Sequence, residues 1–339
     1  MDRAYLTPRG LIHGAAAQEM VARGDAWALC GSSTAFTLAE VTRIVAESTS
    51  RSLTHPTLVS AELTKRREAF AGIDVTATRI MGVLNVTPDS FSDGGKYVET
   101  ESAIAKGVTL LEAGADIIDV GGESTRPGSV SVDPSEESAR VIPVVKALAE
   151  RGATISIDTR HAKVMAEAIV AGASIVNDIS ALGDPDALNV IAQSRAAVIL
   201  MHMQGQPSTM QAAPSYVWAP GDVFDFLKAR VAMCVGKGIG LERLSIDPGI
   251  GFGKNDAHNA ALVDHLAMFH GLGCVLSFGA SRKGFIGRMS QGEGAEARLS
   301  GSLAAALMAV ERGAQVIRVH DVAETSQALA VWRRLTRGA

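Results

Sequence analysis

The segment ATISIDTRHAKVMAEAIVAGASIVNDIS, residues 153–180, contains one complete unit of the pattern that decides the fold. A short β-branched run, Thr154–Ile157, ends at Asp158, helix-forming residues follow at 161–171, and a second run, Ser174–Val176, ends at Asn177. Short apolar runs that alternate with helical stretches are typical of parallel β–α units. The same event recurs in the runs Ile80–Leu84, Ile117–Val120, Ala197–Met201, Leu244–Ile246, Val275–Phe278 and Val316–Val319.

These repeated units predict a (β/α)8 TIM barrel, a fold that needs roughly 250 residues. We expect residues 77–339 to form the barrel. The strands should be parallel because every connection is long enough for a helix. The carboxyl ends of the strands build the active site in this fold, so the polar residues that end the runs should share one rim. Helices are expected near 100–113, 136–150, 161–171, 186–193, 222–238, 257–271, 296–312 and 322–336.

Residues 1–76 do not follow this rhythm. Residues 15–23 are rich in alanine, residues 38–46 (LAEVTRIVA) have amphipathic helical spacing, and residues 60–70 are rich in charge. Each of these features favours a helix. We therefore expect a small helical N-terminal extension, whose sequence shows no chemistry of its own.

The composition restricts the class of protein. Of 339 residues, 47% are apolar and 20% are charged, which is ordinary for a globular enzyme. A net charge of −4 argues against a nucleic-acid partner. No apolar run approaches the roughly 20 residues that span a bilayer, and residues 1–10 contain no apolar core of a secretion signal. The three cysteines form no CxxC pair, so reduced thiols in the cytoplasm are expected.

Four strand-end residues suggest a pocket for a flat heterocycle. Asp158, Asn177, Asp247 and Lys283 follow four different strands. Carboxylates can accept hydrogen bonds from ring N–H and amino groups, while amide and ammonium groups address ring nitrogen and carbonyl. The alternative is that these residues only cap the following helices. Convergence of four on one rim favours the pocket.

Cationic and oxygen-bearing residues on the same rim suggest a phosphate site. Arg126, Lys283, Arg318 and His320 can bind phosphate, and the last three fall beside strands 7 and 8, where barrels often hold it. Hard oxygen ligands for Mg²⁺ are available in Asn85, Asp89, Asp119 and Glu123. The Gly-rich loop DPGIGFGK (247–254) should present Phe252 and Lys254 to the mouth.

Eight motifs together resemble the dihydropteroate synthase family of folate biosynthesis. They occur in family order and cover the whole predicted barrel. The combination of NVTPDSFSDGG, GGESTRPG and SRK is highly specific. The motifs are MGVLNVTPDSFSDGG (81–95), DIIDVGGESTRPGS (116–129), SIDTR (156–160), IVNDIS (175–180), MHMQGQPSTMQ (201–211), DPGIGFGK (247–254), GASRKGFIG (279–287) and RVHDV (318–322).

The resemblance implies a reaction in which the amine of p-aminobenzoate displaces pyrophosphate from 6-hydroxymethyl-7,8-dihydropterin diphosphate, with Mg²⁺ as cofactor. It implies a pterin pocket of Asp158, Asn177, Asp247 and Lys283. It implies a diphosphate site of Asn85, Arg126, Arg318 and His320, with Asn85 also a magnesium ligand, and catalytic roles for Asp158, Lys283, Arg318 and His320. It implies a p-aminobenzoate pocket of Phe91, Thr125, Pro127, Phe252 and Ser281 that sulfonamides would enter.

Departures from the family pattern are few. Ile250 stands where a phenylalanine is common in the family, and the first 76 residues extend beyond the usual barrel. Three other readings remain open: a pterin-dependent methyltransferase acting with a corrinoid protein, a non-catalytic pterin-binding or partner-binding protein, and a generic phosphate-binding aldolase or epimerase barrel. The resemblance also favours a homodimer, for which the Ala-rich helices at 303–311 and 322–336 could supply the face.

Overall fold

The computed structural model describes residues 2–46, 48–56, 59–67, 69–86, 96–124, 129 and 131–337. Its N-terminal part is mainly β-structure, so the expected helical extension is wrong. Strands β1 and β3 pair antiparallel from Arg3↔Ile44 to His13↔Thr34, and β2 and β4 pair with the other edge of β3. The first six strands are β1 (Arg3–His13), β2 (Trp27–Ala28), β3 (Thr34–Val45), β4 (Ser48–Thr54), β5 (Ala69–Phe70) and β6 (Ile73–Asp74).

The error has a physical origin in β3. Its buried residues Phe36, Ala39 and Thr42 recur every third position, which imitates one face of a helix. Val41, Thr42, Ile44 and Val45 are β-branched, however, and favour a strand when a neighbouring strand is present to pair with them. The helix expected at 15–23 is confirmed as Gly14–Arg23, whereas the one at 60–70 is reduced to Ala61–Thr64.

The remaining strands close into the expected barrel of parallel strands. Neighbours along the chain are neighbours in the barrel, and the last strand pairs with the first through Val316↔Arg79. The barrel strands are β7 (Arg79–Asn85), β8 (Ile117–Gly121), β9 (Ile155–Asp158), β10 (Ile175–Asp178), β11 (Ala197–Met201), β12 (Leu244–Asp247), β13 (Val275–Phe278) and β14 (Val316–Val319).

Helices surround the barrel near the expected positions. One expected helix, 257–271, divides into an α-helix that ends at Asp264 and a 3₁₀ segment, Leu266–Leu272. No helix among the described residues is long and apolar enough to cross a membrane. The α-helices are α1 (Gly14–Arg23), α2 (Ala61–Thr64), α3 (Lys96–Glu112), α4 (Pro134–Ala149), α5 (Ala162–Ala171), α6 (Ala187–Gln193), α7 (Ala219–Gly236), α8 (Asp256–Asp264), α9 (Gly284–Met289), α10 (Leu299–Glu311) and α11 (Val322–Arg337).

A small apolar cluster closes the amino end of the barrel. Phe70 and Val75, from and just beyond the short β5–β6 hairpin, pack with residues near the starts of the barrel strands, including Ile117, Ile175 and Val316. Phe70 is 1% exposed. Because this end is filled with apolar side chains, the opposite, carboxyl end of the strands is left for polar chemistry.

Candidate active site

An ion-pair network lies at the carboxyl end of the barrel strands. Arg318 on β14 donates from Nε to Asp119 Oδ2 and from Nη2 to Asp158 Oδ2, each at 2.6 Å. Asn177 Nδ2, on β10, donates to the same Asp119 oxygen at 3.1 Å. Asp119 is fully buried, and its Oδ1 accepts no hydrogen bond within the described part of the chain. One guanidinium therefore reaches from β14 to carboxylates on β8 and β9.

Burial and mutual charge shift the pKa values of Asp158 and Arg318 in this network. Burial raises the pKa of Asp158 to about 7; Arg318 opposes this rise and the negative charge of Asp119 adds to it. Burial alone would lower the pKa of Arg318, but Asp119 and Asp158 raise it above its usual value. A permanently charged guanidinium thus lies beside a carboxyl group that can exchange a proton near neutral pH.

Asp247 and Lys283 form a second charged group at the mouth. The carboxylate of Asp247 accepts the Gly249 N–H at 2.7 Å. The ammonium of Lys283 donates to the carbonyl of Ile250 and lies 4.4 Å from the ring centroid of Phe252. Burial raises the pKa of Asp247, although the positive charge of Lys283 opposes this. Burial also lowers the pKa of Lys283 to about 8, against the opposing effect of Asp247.

Lys254 holds the loop between β12 and α8 from the buried side. The expectation that this residue faces the mouth is therefore wrong. Lys254 is fully buried, and its Nζ contacts His202 Nδ1 at 2.9 Å, the His202 carbonyl at 3.2 Å and the Phe252 carbonyl at 2.8 Å. Burial lowers the pKa of His202 to about 2, and the nearby positive charge of Lys254 contributes to this shift. The imidazole is therefore neutral. A Cβ on Gly249 would lie 1.9 Å from the His202 carbonyl, so the turn requires glycine.

Asn85 and Asp158 face each other across a space that a glycine keeps open. A Cβ placed on Gly121, at the end of β8, would lie 3.7 Å from Asn85 Oδ1 and 3.8 Å from Asp158 Oδ2. The three residues pair in register at the ends of adjacent strands β7, β8 and β9. An amide oxygen and a carboxylate oxygen therefore border one small gap at the mouth.

Ser281 and His320 hold each other beside the same mouth. Ser281 Oγ lies 3.1 Å from both the backbone nitrogen and Nδ1 of His320. Between Ser281 and Lys283 the chain passes through Arg282, whose φ of 60° is in the left-handed region. Ordinary side chains adopt that region with strain, and such strain occurs often at functional sites.

A clamp joins both ends of the loop that follows β8, and sequence reasoning did not identify it. Arg160 donates to Glu123 at 2.9 and 3.0 Å and to Ser131 Oγ at 2.8 Å, while Glu123 accepts the Val132 N–H at 3.1 Å. Burial alone would raise the pKa of Glu123, but the hydrogen bonds from Arg160 and Val132 lower it. The clamp borders a cleft of about 160 Å³ lined by Glu123, Ser124, Ser129, Ser131, Arg160, Gln206, Pro207 and Ser208.

The residues suggested by the sequence divide into two sets. The structure brings Asn85, Asp158, Asn177, Asp247, Phe252, Ser281, Lys283, Arg318 and His320 to the carboxyl end of the barrel. Phe91, Thr125, Arg126 and Pro127 lie outside the described residues, as does Asp89. The pairing of Asp119 with Arg318 was missed, although one signal was present: each charge interrupts an otherwise apolar strand.

Comparisons with known proteins identify the family. A family model described as pterin binding enzyme matches residues 81–320. The dihydropteroate synthase of Escherichia coli K12 is 48% identical over 260 residues, 76% of this chain and 92% of that protein. A solved Xanthomonas albilineans dihydropteroate synthase with 4-aminobenzoic acid is 45% identical, with a TM-score of 0.74 over 79% of this chain and 96% of that one. The same enzyme in complex with 7,8-dihydropteroate matches at 40% identity and a TM-score of 0.70, over the same shares.

The match extends over more than half of this chain and nearly the full length of the relatives. The chain therefore belongs to the pterin-binding enzymes, and among them to the dihydropteroate synthase family.

Proposed function

We propose that this chain condenses 6-hydroxymethyl-7,8-dihydropterin diphosphate with p-aminobenzoate to give 7,8-dihydropteroate and pyrophosphate. The observation that carries the proposal is the buried network of Arg318, Asp119, Asp158 and Asn177 at the mouth of a closed barrel. The two Xanthomonas structures bind 4-aminobenzoic acid and 7,8-dihydropteroate, one substrate and one product of this reaction.

The floor of the mouth suits a pterin ring. We propose that Asp158, Asn177, Asp247 and Lys283 bind it. The free oxygen of Asp119 can accept a further N–H from the heterocycle, because its other oxygen is occupied by Arg318 and Asn177. A buried acceptor without a partner costs about 1–3 kcal/mol, and a bound ring that supplies the donor would recover that cost.

The rim suits the diphosphate. We propose that Asn85, Arg126, Arg318 and His320 bind it, and that Asn85 also binds Mg²⁺. The donor set fits this ion, because Mg²⁺ uses oxygen ligands and is often held by one or two protein side chains plus substrate phosphates. Asn85 Oδ1 borders the open space beside Gly121. The described residues contain no cluster of three His, Cys, Asp or Glu that could hold an ion by themselves. When bound, Mg²⁺ supplies positive charge beside the departing pyrophosphate.

The chemistry requires charge stabilisation more than proton transfer. The bond between the pterin methylene carbon and the diphosphate oxygen breaks, and its electron pair leaves with pyrophosphate. The amine nitrogen of p-aminobenzoate forms the new bond to carbon and passes a proton to the departing pyrophosphate, whose oxygens are basic. Arg318 and His320 stabilise the leaving group, Asp158 and Asp247 stabilise positive charge on the pterin, and Lys283 orients the ring. An aromatic amine is already a competent nucleophile, so no strong general base is needed.

We propose that p-aminobenzoate binds between Phe91, Thr125, Pro127, Phe252 and Ser281, where sulfonamides would compete with it. Phe252 lies next to Lys283, and Ser281 lies next to His320, which supports this proposal. We assign catalysis to residues 77–339, with residues 1–76 as an extension. The three cysteines are buried free thiols, which supports a reducing compartment such as the cytoplasm.

We also propose a homodimer built on α10 and α11. Met308, Val331 and Leu335 on these contacting helices are 42%, 53% and 80% exposed. Grouped exposed apolar side chains favour an isologous contact. Leu335→Glu should convert the dimer to a monomer in light scattering. Val170→Glu, at an apolar residue that is 89% exposed on α5, is the control. A wild-type monomer, or equal effects of both substitutions, would contradict this dimer.

The decisive experiment measures pyrophosphate release by the purified protein with pterin diphosphate and Mg²⁺, with and without p-aminobenzoate. Release that requires p-aminobenzoate and yields dihydropteroate supports the proposal. A chelator should stop release, and added Mg²⁺ should restore it. Pterin binding without any release would instead favour the methyltransferase or the non-catalytic reading.

A further inference from the structure

The N-terminal sheet lies outside the part of the chain that the family model matches, residues 81–320, yet its strand β1 contacts α7 and Trp218 at the end of the β11–α7 loop. We infer that strand β1 positions the wall formed by the β11–α7 and β12–α8 loops, and so sets the affinity for p-aminobenzoate. This inference rests on the proposed function. It assigns positioning roles to Arg3, Tyr5 and Tyr216.

The first group of contacts is polar and runs from β1 to the first turns of α7. Arg3 Nη1 lies 2.6 Å from Asp222 Oδ1, and the Tyr5 hydroxyl donates to Asp225 Oδ2 at 2.6 Å. Arg3 also reaches Asp225 at 3.2 Å. Two neighbouring side chains of one strand therefore bind two carboxylates on one helix. Sequence separations of about 220 residues show that these contacts join distant parts of the chain.

The contacts between β1 and the start of α7 form a junction that also includes Trp218, the residue that precedes α7. Aromatic packing stabilises this junction. The ring centroid of Trp218 lies 5.3 Å from that of Tyr5 and 5.0 Å from that of His265. His265 in turn contacts the hydroxyl of Thr7, on β1, at 2.9 Å. Trp218 is only 7% exposed. Ring pairs at these distances stabilise a junction beyond the area they bury.

The junction fixes the end of the β11–α7 loop. Asp222 accepts the Val217 N–H at 2.8 Å and the Trp218 N–H at 3.1 Å with Oδ2, while its Oδ1 is held by Arg3. One carboxylate thus ties strand β1 to the last residues of the loop. Loss of Arg3 would leave this carboxylate free to change rotamer and release both amides.

The β11–α7 loop in turn holds the β12–α8 loop. The Tyr216 hydroxyl donates to the Gly253 carbonyl at 2.7 Å, and Gln211 donates to the Gly251 carbonyl at 2.5 Å. These two carbonyls flank Phe252, whose ring lies 4.4 Å from Lys283 Nζ. The contacts therefore run without interruption from β1 to the aromatic wall proposed for p-aminobenzoate. Of the residues proposed to bind the pterin, Asp158 and Asn177 lie on β9 and β10, away from this route, whereas Asp247 ends β12 and Lys283 contacts the Ile250 carbonyl of the same loop.

The test uses the double variant Arg3→Met with Tyr5→Phe, which keeps the apolar packing and removes the polar links. We expect KM for p-aminobenzoate to rise about three- to tenfold, the range for loss of a few half-exposed polar contacts. The turnover number should stay within about twofold, and KM for the pterin diphosphate should rise less than KM for p-aminobenzoate, because Phe252 lies on the route whereas Asp158 and Asn177 do not. Arg3→Lys should restore part of the affinity. The control is Arg23→Met, whose ion pairs are with Glu19 and Asp25.

A second variant separates positioning from general weakening of the fold. Tyr216→Phe breaks the same route between the two loops and should raise KM for p-aminobenzoate by a similar factor. Added to the first variant it should raise KM little further, because contacts in series are not additive. An unchanged KM, equal increases for both substrates, or fully additive increases would overturn the inference. If the wild-type protein makes no dihydropteroate, the proposed function itself has failed.

Discussion

Two sets of ion pairs in this molecule have almost the same length and very different surroundings. At the barrel mouth, Arg318 lies 2.6 Å from Asp119 and from Asp158, whose side chains are 0% and 11% exposed. At the N-terminal sheet, Arg9 lies 2.7 Å from Asp264, whose side chain is 53% exposed. The two arginine side chains are similarly exposed, at 25% and 21%, so the difference lies in the carboxylates. Because water screens the exposed carboxylate of Asp264 more than the buried ones, the same distance represents a larger interaction at the mouth.

The difference in exposure between the two sets of pairs implies that desolvation costs free energy at the barrel mouth and not at the N-terminal sheet. Burying charges removes their hydration, and replacement of a buried ion pair by apolar side chains is often neutral or stabilising. The charges at the mouth are therefore poorly explained by stability alone, whereas a binding site needs them there. The half-exposed pairs of the sheet carry no such cost and suit a junction that only has to hold an orientation.

The largest expected effect comes from removing a mouth carboxylate. Asp158→Ala should reduce turnover by about a thousandfold or more, because a group that stabilises transition-state charge in a dry site is worth several kcal/mol. The measurement is steady-state formation of dihydropteroate. Asp186→Ala, at an exposed residue before α6 whose side chain forms no capping hydrogen bond, is the control. Near-wild-type turnover of Asp158→Ala would show that the pterin-pocket assignment is wrong.

A large effect on stability is expected from removing the central cation. Arg318→Met leaves Asp119 and Asp158 without their counter-charge and should lower the free energy of unfolding by about 3 kcal/mol. Adding Asp119→Asn should restore much of that stability, because one uncompensated charge disappears, while activity stays low. Urea titration of both variants tests this. If the double substitution is no more stable than Arg318→Met, the loss does not arise from the uncompensated charge.

An intermediate effect is expected from pH. The pKa of Asp158 is raised to about 7, so its catalytic carboxylate form grows as pH rises through that value. The pKa of Lys283 is lowered to about 8, so its charged form is lost as pH rises further. Together they predict a bell-shaped profile of kcat/KM for the pterin diphosphate. Lys283→Arg should move the alkaline limb upward; a limb that does not move would assign it to another group.

The carboxyl group of Asp158 also makes the free energy of unfolding depend on pH, and the sign of that dependence follows from its raised pKa. Its folded-state pKa lies above the usual 3.8, so between about pH 4 and pH 7 the native state holds a proton that the unfolded chain has lost. This group therefore stabilises the fold below that window and makes the free energy of unfolding fall as pH rises through it. Asp158→Asn should flatten the slope; an unchanged slope would mean that Asp158 titrates normally.

The smallest effect is expected at the sheet. Arg9→Met removes the pairs with Asp264 and Glu40 and should lower the free energy of unfolding by less than about 1 kcal/mol, because these pairs are partly exposed. The turnover number should be unchanged, since Arg9 contacts Asp264 and His265 at the end of α8 and forms no hydrogen bond with the described residues of the two loops at the mouth. A loss comparable to that of Arg318→Met would remove the contrast between the two regions.

The barrel could be predicted because its units are local. Each apolar run and the helix after it can be recognised from neighbouring residues, and observed strands such as Ala197–Met201 coincide with the runs. The N-terminal sheet could not, because β1 and β3 pair across about thirty residues and neither is marked by strict alternation of buried and exposed positions. The buried side of β3 resembles a helical face until its partner strand is known.

By itself, the sequence determined that a parallel barrel forms, which polar residues end its strands, and which family its motifs match. The tertiary structure decided which charges meet: Arg318 with Asp119 and Asp158 across the mouth, Lys254 beneath it, and Arg3 with Asp222 at the junction. Periodicity places a residue on a face, but it carries no information about the partner on a distant strand or about the water excluded between them. Since burial governs both the strength of an ion pair and the pKa of its members, those properties emerge only when the chain has closed on itself.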